Sequence, residues 1–389
     1  GVFSLEKVLE RQSDNNWSSI FDPFRYVVAS SIPNSAYVAG GYHPTSSNSN
    51  TVSTSQKVDF DNDTATAVVK GSLTQQRSSA GGFSSPSYGY WTGGQVGSTD
   101  YSITDRIDYA NDSAAMVTKG NHPVAQYAIA GIDNPNYGYA VGGDTQPGKV
   151  YRLDFSSDTT ALSTRADMGT GGSTYFAFGT GNDDYGYMGA GVGGSRISRI
   201  DYSNDNSTPS PKGVLTATQP YRVAAGAAGN ANFGYFGGGG PSAKSWVDRL
   251  DYSNDTANTT LKGNLSFAKR NFDAESNSDD GYFIGGTIGG WGQPSISSID
   301  KVDFSNDTPT ASPKGPLASG QIIFSGGAGP RSNGTPVAFA QATRTEANSS
   351  PAGTNFGYTF GGLAGNYNTL SYTIQRIDFA NDTATASVP

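Results

Sequence analysis

Cysteine is absent from the 389 residues, which excludes disulfides, thiolate metal sites and cysteine nucleophiles. Histidine is almost absent. His43 and His122 stand far apart and form no His-x-x-x-His or His-Glu-x-x-His pattern, so a histidine-rich metal centre is not expected. No run of 18 apolar residues occurs, so no helix is expected to span a membrane. The first residues, Gly1-Val2-Phe3-Ser4-Leu5-Glu6-Lys7, lack the basic and apolar regions of a signal peptide. Charge is scarce as well: 15% of residues are charged, 25 basic against 33 acidic, net −8. That balance lacks the footprint of a nucleic-acid or anionic-membrane binder.

Glycine, in contrast, is abundant, at 52 residues, and aromatics make up 12%. These aromatics recur in a pattern, aromatic-Gly-Tyr-x-x-Gly-Gly. It is complete at Tyr88-Gly89-Tyr90-Trp91-Thr92-Gly93-Gly94, with further or degenerate copies whose second tyrosine is Tyr37, Tyr139, Tyr187, Tyr235, Tyr282 and Tyr358. Tyr90 to Tyr282 spans 192 residues over four intervals, a mean of 48. Kelch-type propeller repeats run about 50 residues and WD40 repeats about 40–45. A second motif follows each copy and begins at Lys57, Arg106, Arg152, Arg199, Arg249, Lys301 and Arg376. Its fullest form is Arg249-Leu250-Asp251-Tyr252-Ser253-Asn254-Asp255-Thr256. A Lys-Gly pair comes third, at Lys70, Lys119, Lys212, Lys262 and Lys314. Thr164-Arg165-Ala166 has lost it.

Each repeat reads as four short strands, a to d. The Tyr-Gly-Tyr segment is strand b and the Arg-Ile-Asp-Tyr segment strand c, where Ile107 and Tyr109 share one face. Asn-Asp between strands c and d reads as hairpin-turn chemistry, because both residues tolerate left-handed φ. A thin sheet with aromatics on both faces cannot bury them alone, whereas radial stacking does so. The expected fold is therefore all-β: a seven-bladed kelch-like β-propeller over residues 25–389, four antiparallel strands per blade. A 1–24 arm precedes it, and an insertion falls at about 328–355.

The double glycine and the period resemble kelch-repeat propellers, although no regularly spaced Trp closes each repeat. The fuller wording, with Lys-Gly-Asn-Leu-Ser, is similar to that of kelch-like proteins of marine tailed phages, notably those infecting cyanobacteria. This resemblance implies a non-enzymatic virion protein, a tail fibre, appendage or decoration located on the extracellular particle. Its partners would be other virion proteins, copies of itself, or a host surface polysaccharide or protein. Neither nucleic acid nor membrane insertion is implied.

Several motifs invite chemistry. Gly189-Ala190-Gly191-Val192-Gly193-Gly194 matches a dinucleotide fingerprint, but a strand pattern follows where a helix would be needed. Asp59, Asp108, Asp154, Asp201, Asp251, Asp303 and Asp378 recur, without the spacing of a calcium loop, and read as a charge ladder or turn caps. Sequons at Asn62, Asn111, Asn254, Asn306 and Asn381 coincide with the c–d turn. No catalytic, metal or cofactor-binding residues are expected.

The b–c loops vary between copies and share one face with the d–a connections. They offer Tyr42, His43, Tyr101, Trp246, Trp291, Tyr367 and Tyr372 for sugar stacking or protein contact, or as simple cover for the rim. On the arm, Leu5, Val8 and Leu9 have helical spacing and Trp17 follows. With Phe339 in the insertion they form candidate docking residues. The alternative reading is a propeller that binds or cleaves surface polysaccharide. A carboxylate pair facing across the central channel would favour cleavage. A secreted lectin-like protein, glycosylated at the sequons, is a third.

Overall fold

The computed structural model describes residues 34–42, 51–168, 174–189, 191–192, 194–216, 222–289 and 295–319, together with the backbone of Phe356–Ala364 and Thr369–Asp378. The chain separates into two compact units, Val28–Val337 and Gly1–Val27 with Ala338–Pro389.

The larger unit contains six antiparallel blades, each a meander whose strands pair in chain order. Blade 1 shows strands b, c and d, at Ser35–Ala39, Ser55–Asp59 and Val68–Lys70. Blade 2 shows all four: Gly81–Ser84, Tyr88–Thr92, Thr104–Asp108 and Val117–Thr118. Blades 3 to 6 repeat this, with strand a at Ile129–Asp133, Phe178–Gly181, Gly226–Gly229 and Asp273–Ser276. The strands a of successive blades 2 to 6 lie beside one another and form the inner wall of the ring.

The expected all-β propeller is present, but the expected seven blades are not: the ring closes with six. At every interface the second tyrosine of strand b donates to the aspartate ending the next blade's Ser-Asn-Asp or equivalent turn. The pairs are Tyr37–Asp112, Tyr90–Asp158, Tyr139–Asp205, Tyr187–Asp255 and Tyr235–Asp307, at 2.7–3.1 Å. The sixth, Tyr282–Asp63 at 3.2 Å, joins blade 6 directly to blade 1. The same tyrosines stack on the aromatic that opens the next turn, from Tyr37–Tyr109 with centroids at 5.0 Å to Tyr282–Phe60 at 3.9 Å. A closed cycle of six like contacts leaves no gap for a seventh.

The seventh copy forms a hairpin in the smaller unit, Phe356–Ala364 paired with Thr369–Asp378. Its register sets Tyr358 opposite Arg376, as Tyr90 stands opposite Arg106. The motif thus builds the local hairpin wherever it occurs. Ring size is decided by long-range contacts.

The c–d turn also differs from expectation. In blades 2 to 5 it is a 3-10 turn, not a left-handed hairpin turn. Asp108 caps Tyr109–Asn111 by accepting from the Ala110 N–H, and Asp112 stays right-handed at φ −71°. Asp59, Asp154, Asp201, Asp251 and Asp303 accept from the backbone two residues on in the same way. The turn-cap reading therefore holds for these six aspartates, while the side chain of the seventh, Asp378, lies outside the described residues, and the second aspartate is left to reach the neighbouring blade.

Two glycine slots are steric requirements. A Cβ on Gly138, in the middle of strand b, would lie 2.1 Å from the Phe83 ring of the preceding blade; on Gly186 it would lie 2.4 Å from Ile132. The glycine of Lys-Gly brings strand d against the next blade: a Cβ on Gly120 would sit 1.8 Å from the Thr160 carbonyl oxygen. The Gly120 N–H meanwhile donates to the Asp158 carbonyl at 2.7 Å.

Candidate functional site

The repeated polar residues are committed to the ring. Arg106 and Lys119 approach Asp158 at 2.7 and 3.2 Å, Arg199 and Lys212 approach Asp255 at 2.7 and 3.1 Å, and Lys301 and Lys314 approach Asp63 at 3.5 and 3.2 Å. Arg106, Arg152 and Arg199 also lie 4.0–4.2 Å over the rings of Tyr88, Tyr137 and Tyr185. Where strand b opens with Asp280, the matching Lys301 pairs with that carboxylate at 2.9 Å. Further ion pairs are buried within blades: Arg77–Asp105, Arg222–Asp248 and Lys269–Asp300. Functional side chains must therefore be sought among those that break the repeat.

As expected, b–c loops and d–a connections share one face. Gly41, Gly94, Asp144, Val192 and Gly240 donate to the carbonyls of Arg77, Gln126, Tyr127, Tyr175 and Val223. Of the candidate loop residues, three are described. Tyr42 is buried, at 8% exposure, and bridges to Thr51, so it is not the exposed contact residue expected. Backbone pairing at the foot of its loop draws its ring under the surface. Trp246 is half-buried beneath Lys244, whose Nζ lies 4.9 Å from its ring. Tyr101 is half-buried, its backbone tied to Gly94 and Gln126. His43, Trp291 and Tyr367, and the docking candidates Leu5, Val8, Leu9, Trp17 and Phe339, lie outside the described residues. Tyr372 lies on the strand Thr369–Asp378, where only the backbone is described.

The structure gathers a different set around Tyr101. The b–c loop of blade 2 folds into a small hairpin, Gln95–Val96 with Thr99–Asp100, turned by Gly97 at φ 59°. It brings Asp100 within hydrogen-bonding reach of Asp144 from blade 3. Burial first, then the Asp144 charge, hold Asp100 above the usual carboxylate range, while Gln95 opposes the shift. Asp144 accepts from the Tyr127 N–H at 3.0 Å. The hydroxyls of Tyr127 and Tyr175 meet at 2.7 Å with their rings nearly perpendicular, at 81°. Phe176 packs against Tyr175 at 4.4 Å. Burial and the Tyr127 hydrogen bond push the Tyr175 hydroxyl up, so it stays neutral. Phe176 sits in the left-handed region, at φ 56°, as Ser79, Ala128, Ala224 and Asn271 do in the same slot of the other blades.

Sequence reasoning missed this cluster, because its members come from three blades and none belongs to the repeat. The signal that could have found it is Phe176, which stands where blades 3 and 5 carry Ala128 and Ala224, next to a tyrosine that blades 3 and 4 share. The half-buried rings and paired acids can stack on a ligand ring and bind its hydroxyl or ammonium groups. Among the described residues no group of three acidic or histidine side chains could hold a metal ion. The segment at 189–194 is followed by strand Arg196–Asp201, in line with the structural reading of its glycines.

No protein-family model matches the chain, and no curated protein matches it. Solved structures do match. One is YjhT, with a TM-score of 0.55 and 10% identity, covering 72% of this chain and 97% of that one. At that identity the likeness shows the propeller fold alone.

Proposed function

We propose that this chain is a non-enzymatic display ring of a tailed-phage particle, contacting the host surface or a neighbouring virion protein through its b–c and d–a face. The observation that carries the contact face is the division of labour among side chains. The repeated charges and tyrosines clasp blade to blade, while the non-repeated Tyr127, Tyr175, Phe176, Asp100 and Asp144 converge on one face. A closed ring holds such loops at low conformational cost, which favours recognition. The phage setting rests on the wording of the repeat.

The alternative, a ring that acts on surface polysaccharide, draws support from the same cluster. Aromatic faces beside acceptors suit a sugar, and an acid held above its usual range suits a proton donor. Binding fits better than cleavage. Glycosidases set their two carboxyls about 5–9.5 Å apart around the scissile bond, whereas Asp100 and Asp144 are within hydrogen-bonding reach.

The test is gold-labelled antibody imaging of purified particles, with pull-down of host envelope polysaccharide by the isolated chain. Labelled particles, and binding lost in Tyr175→Ala, are the expected outcomes. Particles without this chain would overturn the virion reading. Reducing sugar released from the polysaccharide would overturn the non-enzymatic one.

A further inference from the structure

The six clasps of the ring use two sides of one motif. Strand b supplies a tyrosine that donates to the following blade, and the c–d turn supplies an aspartate that accepts from the preceding one. In blade 3, Tyr139 donates forward to Asp205 at 3.1 Å, while Asp158 accepts from Tyr90 behind it, also at 3.1 Å. Each blade is therefore complementary to a copy of itself, and every blade of the ring meets one on each side. The six donors and six acceptors are paired off with one another.

The seventh copy carries both sides of the clasp and stands outside that cycle. Its strands, Phe356–Ala364 and Thr369–Asp378, pair with each other and, among the described residues, with no further strand. Their register sets Phe356 opposite Asp378 and Tyr358 opposite Arg376, as Tyr88 stands opposite Asp108 and Tyr90 opposite Arg106. The sequence continues Phe379-Ala380-Asn381-Asp382, the order of Phe60-Asp61-Asn62-Asp63 in blade 1. Tyr358 is thus the counterpart of the donors and Asp382 of the acceptors, and the closed ring has no partner left for either.

Gly357 is a second, independent sign. Glycine inside a strand weakens it. In the ring the loss has a use, because the preceding blade fills the space: the Phe83 ring does so at Gly138 and Ile132 at Gly186. A lone hairpin gains nothing from that space, and two strands by themselves are marginal in water.

We propose that the seventh copy is an assembly blade, which joins this chain head to tail to further copies of itself, Tyr358 of one molecule donating to Asp382 of the next. A motif that fits itself six times within one chain presents the same two surfaces between chains. The contact is heterologous, so each molecule that joins leaves one side open for another. Six such contacts complete a circle within the chain, and the same contact between chains should close at six molecules. The proposal is independent of the display reading, since it uses none of the loop residues.

Light scattering and sedimentation velocity on the full chain test it, over about 1 to 100 μM, the range of a modest protein contact. Mass that grows with concentration toward a hexamer is expected. Tyr358→Ala and Asp382→Ala should each weaken association at least about tenfold, the worth of a hydrogen bond to a charged group. Asp167→Asn, at an exposed ion pair, should leave it unchanged. Mixing the two weakened variants separates a lost contact from a lost fold. Tyr358→Ala keeps the accepting side and Asp382→Ala the donating side, so together they should form a heterodimer and nothing larger, at a concentration where neither associates alone. A chain that stays monomeric throughout the range overturns the proposal. So does a wild-type dimer that grows no further, association unchanged in both variants, or a mixture that forms no heterodimer.

Discussion

Tyr282 and Asp63 are 219 residues apart in sequence, yet the tyrosine hydroxyl donates to the carboxylate at 3.2 Å and closes the ring. The contact repeats Tyr90–Asp158, which joins two consecutive blades at 3.1 Å. A seam built like every other interface should cost as much to break. Asp63→Asn leaves Lys301 and Lys314 without their shared carboxylate, and should destabilise by about 2–3 kcal/mol, somewhat less than the loss of a fully buried partner. Asp158→Asn should cost a similar amount. Thermal unfolding of the two variants checks this. A negligible effect at Asp63 alone would show that blade 6 does not meet blade 1 in solution.

Acid should loosen the same clasps. Burial alone would raise Asp112, but hydrogen bonds from Lys70 and Tyr37 and the charges of Lys70 and Lys57 hold it below its ordinary value. Asp158 is lowered in the same way, by Arg106 and Lys119 against burial. A depressed carboxylate contributes stability that is present above the unfolded value, about 3.9, and lost as pH falls through the folded one. Denaturant midpoints should therefore be flat from about pH 7 to 5 and fall below about pH 4. Lys70→Met should lower the stability at neutral pH and shrink the part of it lost to acid, because the folded Asp112 value then moves back up toward the unfolded one. A midpoint that falls already between pH 7 and 6 would contradict the assignment.

How far the sequence discloses this molecule can be judged from the same residues. The blade is written locally: Tyr-Gly-Tyr, the capping Asp108 and Gly120 each meet requirements set within one repeat or by its neighbour. Ring size is not local. Tyr358 and Arg376 carry the same cross-strand pair as the six blades, so counting motifs yields seven. The contacts across the seam, Tyr282 with Asp63 and Phe60 among them, reveal six. The role of Asp63 and its five counterparts was equally hidden, because an aspartate after Asn reads as turn chemistry until its neighbour is seen. The loop cluster needed the fold outright: Asp100 and Asp144 are 44 positions apart in sequence and meet only because blades 2 and 3 are adjacent.

Left-handed residues open strand a in five blades: Ser79, Ala128, Phe176, Ala224 and Asn271, with φ between 53° and 61°. Backbone hydrogen bonds hold several of them in a chain, Ala128 N–H to Ser79 O and Asn271 N–H to Ala224 O. A side chain in this region costs about 1–2 kcal/mol, and glycine avoids that cost while losing about 0.5–1 kcal/mol in chain entropy. Ala224→Gly should therefore be neutral to stabilising by about 1 kcal/mol. Ala227→Gly, in the same strand but outside the left-handed region, should destabilise by about 0.5–1 kcal/mol. Equal losses at both sites in denaturant titrations would show that the strain at Ala224 is not felt.

The Lys-Gly glycine is the most demanding position in the repeat. A methyl on Gly120 would approach the Thr160 carbonyl oxygen at 1.8 Å, far inside contact distance, and the obstacle is backbone that cannot rotate away. Gly71, Gly213, Gly263 and Gly315 face the same obstacle at 1.7–2.0 Å. Blade 3 carries Ala166 there and has evidently accommodated it, with Arg165 Nε standing off from Asp205 at 3.7 Å where Lys119 reaches Asp158 at 3.2 Å. Gly120→Ala should thus cost about 3 kcal/mol or more, an overpacking clash plus a displaced hydrogen bond. Ala166→Gly should cost at most about 1 kcal/mol, the entropy of glycine in a strand. If thermal unfolding shows Gly120→Ala tolerated as well as Ala166→Gly, then strand d does not press on the next blade, and the interfaces must be held by the tyrosine–aspartate clasps alone.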